Sequence, residues 1–210
     1  ESTGIRKIMK RLKPDKFEDI VALLALYRPG PLQSGMVDDF IKRKHGAKKI
    51  EYLHPLLEPI LKSTYGVILY QEQVMQIARE ISGYSLASAD ELRKAIGKKN
   101  PEILKEHRKK FVENAIVPKE KAKEIYDLIE KFGNYGFNKA HAISYAVITY
   151  QTLYLKAKYP KEFYSSYLSS ELKSETKILR ASVELNKKGI DLISPNINKS
   201  TDSFIISDEA

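Results

Sequence analysis

Residues 119–159 read KEKAKEIYDLIEKFGNYGFNKAHAISYAVITYQTLYLKAKY, and this stretch decides the fold class. In its first half, apolar residues recur at helical spacing: Ala122, Ile125, Leu128 and Ile129. This periodicity predicts a helix over about residues 119–132 that stops at Gly133. After a glycine-containing aromatic loop, a longer helix is predicted over about residues 138–159, because Asn138 can cap its start and Pro160 ends it. Two such helices in 41 residues favour a mainly α fold.

The same pattern extends outward from this stretch to both ends of the chain. Further helices are predicted at residues 17–26, 34–45, 70–81, 88–97, 101–114, 162–172 and 175–188. Ser88 and Glu91 match a capping box for the fourth of these helices. Two segments only, residues 189–193 and 203–206, resemble strands. The prediction is therefore a mainly α, multi-helix domain with a short β element near the C-terminus.

Composition and charge restrict the class of protein. The 210 residues carry a formal net charge of +9, of which +10 falls before Pro160 and −1 from Pro160 onward. A polyanionic partner is therefore expected to meet the part before Pro160. There is no cysteine, which excludes disulfides and thiolate metal sites, and no apolar run long enough for a membrane span. We expect a soluble, cytoplasmic protein, and both termini read as cuts in a longer polypeptide.

One candidate site is the basic segment at residues 93–99, RKAIGKK. Its four cations are Arg93, Lys94, Lys98 and Lys99. Like charges at Lys94 and Lys98 cost a helix a few tenths of a kcal/mol, and together the four side chains can hold several phosphate oxygens. A solvated basic end of a helix is the alternative, since cations favour the C-terminal end of the dipole.

The second candidate is the aromatic loop that leads into the longest predicted helix, residues 134–141, NYGFNKAH. Lys139 and His141 have the wrong sign for the first turn of a helix, and a bound anion would remove that conflict. Tyr135 and Phe137 can supply faces on which a base stacks. The alternative is that both aromatic rings belong to the core and that His141 is structural.

The residues offer no complete catalytic centre. No Walker loop, Ser/His/Asp pattern or GxGxxG motif occurs, and the close aspartate pairs Asp38/Asp39 and Asp15/Asp19 do not resemble a two-metal site. Arg28 and Gln71 are weaker candidates for phosphate contact or support of a pocket. Cations and aromatic rings without an acid, a base or a metal cage indicate half of an active site.

Four stretches carry a resemblance to a known family: residues 25–36 (ALYRPGPLQSGM), 65–75 (YGVILYQEQVM), 93–99 (RKAIGKK) and 135–141 (YGFNKAH). Their order and spacing closely resemble the alpha subunits of bacterial DNA polymerase III, the C-family replicative DNA polymerases, over nearly all of residues 1–200. By this resemblance residues 1–160 form the nucleotide-facing core of a fingers domain. Residues 161–210 form outer helices and the start of a linker toward a helix-hairpin-helix region.

The resemblance implies a function and partners. The fingers bind the incoming dNTP and template-primer DNA, while Mg²⁺ is held by palm aspartates that lie before Glu1. No catalytic or metal-binding residue is then expected in this chain, and the chain alone is expected to be inactive. Other expected partners are the rest of the alpha chain and, through regions outside the fragment, the sliding clamp and other replisome subunits; no membrane is expected.

The resemblance also implies roles for individual residues. The triphosphate contacts are Arg93, Lys94, Lys139 and His141; Asn138 shapes the pocket, and Tyr135 and Phe137 lie near the base and sugar. Arg28, Gln71, Lys98 and Lys99 bind DNA or support the pocket. Three positions depart from the family pattern: Lys94 stands where an arginine is common, Ile96 where a methionine is common, and Ala140 where a serine is common. Lys94 therefore lacks the bidentate fork of a guanidinium.

Two other functions remain open from the residues alone. One is a helical nucleic-acid-binding module without a nucleotide pocket, which predicts salt-sensitive DNA binding without competition from dNTP. The other is a protein-interaction domain whose basic face meets an acidic partner, which predicts weak DNA binding even at low salt.

Overall fold

The computed structural model describes residues 2–133 and 135–207. Asn134, in the second candidate site, and the side chain of Phe132 lie outside the described part. The α-helices of this range are α1 Thr3–Leu12, α2 Phe17–Leu26, α3 Pro29–Gln33, α4 Met36–Lys44, α5 Glu58–Leu61, α6 Gln71–Ser82, α7 Leu86–Lys98, α8 Pro101–Asn114, α9 Lys119–Gly133, α10 Lys139–Lys158, α11 Pro160–Ser170 and α12 Glu175–Asn186. Short 3₁₀ turns, Pro55–Leu57 and Lys62–Thr64, flank α5. The predicted mainly α fold is confirmed.

The chain divides into two compact units, Glu1–Val147 and Ile148–Ala210. The first unit contains two hydrophobic cores. One is formed chiefly by α1, α2 and α4, with Leu12, Leu26 and Phe40 fully buried. The other is formed by α6 to α9, with Ile77 and Phe111 fully buried.

An extended segment, Val67 to Tyr70, runs between these two cores. Successive side chains of an extended chain point to opposite sides. Accordingly Leu69 packs in the first core and Ile68 in the second, and both are buried. The segment thereby ties the two cores together and fixes the position at which α6 begins.

A buried ion pair joins α2 to α4 in the first core. Lys44 Nζ lies 2.8 Å from Asp19 Oδ2 and 2.8 Å from Asp15 Oδ1, and the Lys44 side chain is 4% exposed. Tyr65 donates a further hydrogen bond of 3.1 Å to Asp19. Burial alone would lower the pKa of Lys44, but its hydrogen bonds to Asp15 and Asp19 outweigh burial and raise it. Asp15 and Asp19 therefore have a structural role.

In the second unit, α11 packs on α12 through Tyr164, Leu168 and Leu185. The predicted strands at residues 189–193 and 203–206 are not seen among the described residues, so the short β element is not confirmed. The backbone of Phe204 pairs with serine hydroxyls on α11 instead. Its N–H donates to Ser169 Oγ (2.9 Å), and its carbonyl accepts from Ser165 Oγ (2.7 Å). These hydrogen bonds take the place of those that a neighbouring strand would make.

Several helix boundaries differ from the sequence prediction, and α1 and α5 have no counterpart in it. Helix α7 begins two residues earlier because Ser85, rather than Ser88, caps it by accepting from the Ser88 N–H at 3.1 Å. The predicted break at residues 28–31 contains a short helix, α3, with Pro29 at its first position, where no N–H is required. Gly133 is the last residue of α9 rather than its stop. No helix among the described residues is long and apolar enough to cross a membrane.

Candidate functional site

The site is built on the contact between the extended segment 67–70 and the aromatic loop before α10. Phe137 N–H donates to Leu69 O (2.9 Å), and Gln71 N–H donates to Phe137 O (3.0 Å). The amide of Gln73, which is buried, holds the segment from the other side. Its Oε1 accepts from the N–H groups of Leu69 (2.8 Å) and Tyr70 (2.9 Å). The loop and the start of α6 are therefore fixed to each other.

A carboxylate of this chain, that of Glu72, lies at the start of α10. Asn138 caps the helix as predicted, accepting from the His141 N–H at 2.7 Å. The carboxylate of Glu72 accepts from the Lys139 N–H at 3.0 and 3.1 Å and from Asn138 Nδ2 at 3.3 Å. The cations in this first turn predicted a bound anion, and the Glu72 carboxylate takes its place, since a negative charge suits the positive end of the helix dipole.

Arg93 and Lys94 are held by one carboxylate on their own helix. Asp90 lies 2.8 Å from Arg93 Nε and 2.8 Å from Lys94 Nζ. Hydrogen bonds from Lys94 and Arg93 lower the pKa of Asp90, so it stays ionised. Arg93 Nη1 also donates to Gln71 Oε1 at 3.3 Å, which connects α7 to the start of α6 beside the loop.

Arg28 joins the loop to the first core. Its Nη2 donates to Tyr135 O at 2.7 Å and its Nε to Ala25 O at 2.8 Å. Its guanidinium carbon lies 4.6 Å from the centre of the Phe137 ring. The group is half-buried, and burial lowers its pKa. Arg28 thus acts in this structure as a support for the loop.

The side chains of Lys139 and His141 lie among aromatic rings. Lys139 Nζ is 5.5 Å from the centre of the Tyr70 ring. The His141 ring lies 5.5 Å from that of Phe137 and 4.7 Å from that of Tyr145. His141 is exposed and Lys139 is half-buried, so both side chains reach the surface beside the loop.

The structure therefore brings most of the predicted site residues together. The set that is linked by contacts is Arg28, Gln71, Arg93, Lys94, Tyr135, Phe137, Asn138, Lys139 and His141. Lys98 and Lys99 stand apart, at the end of α7, where Lys99 lines a separate groove with residues of α8 and α9.

Sequence reasoning missed Glu72 and Asp90. The spacing of Asp90, three and four residues before Arg93 and Lys94, is readable as a helical ion pair. The sequence contained only an indirect indication of the role of Glu72, namely the unfavourable cations at the start of α10. Within the described residues no group of three or more His, Asp or Glu side chains could hold a metal ion, so the donors here do not fit Mg²⁺.

Fold and site together define a helical domain that presents cations beside aromatic rings at one position. Residues 1–119 match the model of the bacterial DNA polymerase III alpha subunit finger domain. The chain therefore belongs to the family of bacterial DNA polymerase III alpha subunit finger domains.

Curated relatives extend the similarity to the remainder of the chain. The DNA polymerase III subunit alpha of Buchnera aphidicola subsp. Schizaphis graminum is 52% identical over 98% of this chain. The corresponding proteins of Aquifex aeolicus and Escherichia coli are 49% and 48% identical, each over 100% of it. The chain spans only 18–19% of the length of these relatives.

Proposed function

We propose that this chain is the fingers region of a replicative DNA polymerase and that it binds the triphosphate of the incoming dNTP. The observation that carries the proposal is the convergence of four stretches, distant in sequence, on the contact between Leu69, Gln71 and Phe137. That contact lies beside Arg93 and Lys139. Positive side chains placed by a fixed framework suit a phosphate group better than a solvated helix face does.

The roles of the residues follow from their places. Arg93 and Lys94 on α7 and Lys139 on α10 neutralise charge on the phosphates, and His141 on α10 contacts them. Because Glu72 occupies the start of α10, the phosphates meet the side chains of Lys139 and His141 rather than the first N–H groups of the helix. Asn138 orders that turn.

The aromatic loop offers two rings to the rest of the nucleotide. Tyr135 and Phe137 are half-buried, and both pack against the first core. These rings would lie beside the base and the sugar, as stacking requires an accessible ring face. Arg28 and Gln71 support the loop rather than touch the ligand.

The whole protein would catalyse template-directed nucleotidyl transfer, in which a primer 3′ hydroxyl attacks the α-phosphate and pyrophosphate leaves. The Mg²⁺ ions that assist this reaction would be held by aspartates outside this chain. Residues 1–160 would face the nucleotide and residues 161–210 would form the outer part. Template-primer DNA and other replisome proteins would be the partners, in the cytoplasm.

The test is a pair of substitutions in the full-length enzyme, Arg93→Ala and Lys139→Ala. Each is expected to raise KM for dNTP and to lower kcat, with kcat/KM falling about 100-fold, the loss typical of one charge-stabilising group. Steady-state kinetics on a primed template provide the measurement. Arg93→Lys is expected to recover only part of the loss, because it keeps the charge without the planar fork.

The matched control is Lys62→Ala, which removes an exposed lysine that lies 4.0 Å from Glu58 and takes no part in the site. Its kinetics should equal those of the wild type. Unchanged kinetics in both Arg93→Ala and Lys139→Ala would refute the triphosphate site. Salt-sensitive DNA binding that dNTP does not affect would then favour the nucleic-acid-binding module, and weak DNA binding would favour the protein-interaction domain.

A further inference from the structure

Three consecutive residues at the start of α6 each contact a cation of the proposed triphosphate site. The centre of the Tyr70 ring lies 5.5 Å from Lys139 Nζ. Gln71 Oε1 accepts from Arg93 Nη1 at 3.3 Å, and Glu72 accepts from the Lys139 N–H at 3.0 Å. The cations of α7 and of α10 are therefore both in contact with this one turn.

The next residue, Gln73, points into the protein. It is 4% exposed, and all four hydrogen-bonding positions of its amide are used. Its Oε1 accepts from the N–H groups of Leu69 and Tyr70 at 2.8 and 2.9 Å. Its Nε2 donates to Ile60 O at 3.1 Å and to Thr64 Oγ1 at 2.8 Å. Because backbone N–H groups face one end of the amide and a backbone carbonyl the other, only a side chain with both an acceptor and a donor satisfies both ends.

Thr64 extends this polar network to the beginning of the extended segment 67–70. It is 1% exposed, and its hydroxyl lies 2.6 Å from Val67 O and 3.1 Å from Leu61 O. The segment is therefore held near Val67 by Thr64 and at Leu69 by Gln73. A buried polar network in which each member is paired makes the surrounding structure rigid.

The extended segment in turn carries the aromatic loop. Leu69 gives its N–H to Gln73 and accepts with its carbonyl from the Phe137 N–H at 2.9 Å. Lys139 follows Phe137 by two residues. A displacement of Leu69 is therefore passed to the start of α10 and to the Lys139 side chain.

We propose that Gln73 is a positioning residue of the triphosphate site, which fixes the Lys139 ammonium relative to the Arg93 guanidinium through the segment 67–70. The inference rests on the proposed function, because it assumes that both cations bind the same triphosphate. It adds that their joint placement, and not their charge alone, determines the rate. Gln73 is buried and acts through the backbone without touching the nucleotide.

The test is a double-mutant cycle in the full-length enzyme between Gln73→Met and Lys139→Ala, measured as kcat/KM for dNTP on a primed template. Methionine is similar in length but leaves the N–H groups of Leu69 and Tyr70 without their acceptor. Gln73→Met alone should lower kcat/KM about 10-fold, because misplacement by less than about 1 Å has effects of this size. Lys139→Ala should lower it about 100-fold in the wild type but about 10-fold in the Gln73→Met background, where the lysine is already misplaced.

The matched control is Ser82→Ala, at the other end of α6. Ser82 is 3% exposed and donates a 2.7 Å hydrogen bond to Phe111 O in the second core. This variant also removes a buried hydrogen bond of α6, but it leaves the segment 67–70 unchanged. In the Ser82→Ala background, Lys139→Ala should still lower kcat/KM about 100-fold. The comparison separates positioning from a general loss of stability.

Two variants of Thr64 test the same network without a change at Gln73, and they decide the matter if Gln73→Met does not fold. Thr64→Val removes the hydroxyl that accepts from Gln73 Nε2, and it should lower kcat/KM less than Gln73→Met does, because the N–H groups of the segment keep their acceptor. Thr64→Ser keeps the hydroxyl and should recover most of the activity.

Two results would overturn the inference and leave the proposed function intact. These are a loss of about 100-fold for Lys139→Ala in the Gln73→Met background, and equal kinetics for Thr64→Val and Thr64→Ser. A reduced effect of Lys139→Ala in the Ser82→Ala background would also overturn it, because general stability would then be the cause. If Lys139→Ala has no effect in the wild type, the proposed function fails and the inference fails with it.

Discussion

Gly136 leaves little space for a side chain. A Cβ at this position would lie 3.0 Å from Gly133 O and 3.2 Å from Gln71 N, both of them backbone atoms. We expect Gly136→Ala to displace the aromatic loop slightly and to lower kcat/KM for dNTP by up to about 10-fold, less than the roughly 100-fold effect of a 1 Å displacement of a positioned group. Steady-state kinetics of the full-length variant measure this decrease in kcat/KM.

Gly97→Ala is the control for this substitution. Gly97 lies inside α7, and a Cβ there meets no atom within 4 Å. Alanine should strengthen the helix by about 0.8–1 kcal/mol and leave KM for dNTP unchanged. An alanine at Gly136 that is tolerated as well as the one at Gly97 would show that the loop is not held in the described position.

His107 is expected to make the stability of α8 depend on pH. The residue is 8% exposed, and Tyr84 donates a 3.0 Å hydrogen bond to its carbonyl. Burial, helped by the charge of Lys110, lowers the pKa of His107 below its ordinary value of 6.5. The unfolded state therefore binds more protons, and stability falls as pH decreases from about 6.5 toward the lower pKa of the folded state.

The measurement for His107 is hydrogen exchange of α8 amides in the full-length protein at about pH 7.5 and about pH 5.5, corrected for the intrinsic rates. We expect the free energy of local opening to be lower at the acidic pH. In His107→Gln, which cannot titrate, this part of the pH dependence should be absent. An equal pH dependence in the variant and the wild type would exclude His107 as its origin.

At the scale of elements, the start of α10 depends on a residue of α6. Glu72→Ala removes the acceptor of the Lys139 N–H and the partner of Asn138 Nδ2. We expect the first turn of α10 to lose about 0.5–2 kcal/mol, the usual effect of losing a cap. Hydrogen exchange of peptides that cover the first turn of α10 measures the loss.

Two further substitutions on α6 separate the cap from general effects of charge. Glu72→Gln keeps an oxygen acceptor and should retain part of the protection. Glu80→Ala removes an exposed carboxylate near the other end of the same helix and should leave α10 unchanged. If Glu80→Ala has the same effect as Glu72→Ala, the contact with α10 is not the cause.

The elements that sequence predicts best are those with both a periodic apolar face and a clear end. Helices α2 and α8 have the predicted bounds, and α8 has Pro101 at its first position. The predicted start of α7 was wrong. Ser85 and Ser88 are both good caps, three residues apart, and the local sequence does not distinguish between them. Helix α3 was missed because a Pro-Gly-Pro run is typical of a break as well as of a first turn.

For the candidate site, sequence predicted the clusters but not how they join. Cations and aromatic residues are visible locally, and so Arg93 and Lys139 could be proposed from the sequence. The capping of α10 by Glu72 joins positions 67 residues apart, which no local pattern reveals. The contact between Arg28 and Tyr135 spans 107 residues. Such contacts follow from packing of the two cores rather than from periodicity.

At the scale of the whole molecule, the two units differ in charge. Counted from the sequence, Glu1–Val147 carries a formal charge of +8 and Ile148–Ala210 a charge of +1. We expect the triple change Lys173→Ala, Lys187→Ala and Lys188→Ala, at exposed positions of the second unit, to leave DNA affinity within about twofold and the salt slope unchanged. Anisotropy titrations over a range of salt concentrations test this. A decrease in the slope of about 2 would instead place the second unit on DNA.

The contact between Arg28 and Tyr135 also sets the order in which the chain can fold during synthesis. The two residues cannot meet until at least 107 further residues have left the ribosome after Arg28. At about 5–20 residues per second, that interval is roughly 5–20 seconds. Helices α1, α2 and α4 can begin to pack meanwhile, because their contacts are short in sequence, whereas the aromatic loop and Ala142 and Ala146, which complete the first core, are added later. We therefore expect the candidate site to be among the last parts of this unit to form, and a ribosome that stalls before Tyr135 would hold a chain with an incomplete first core and no site.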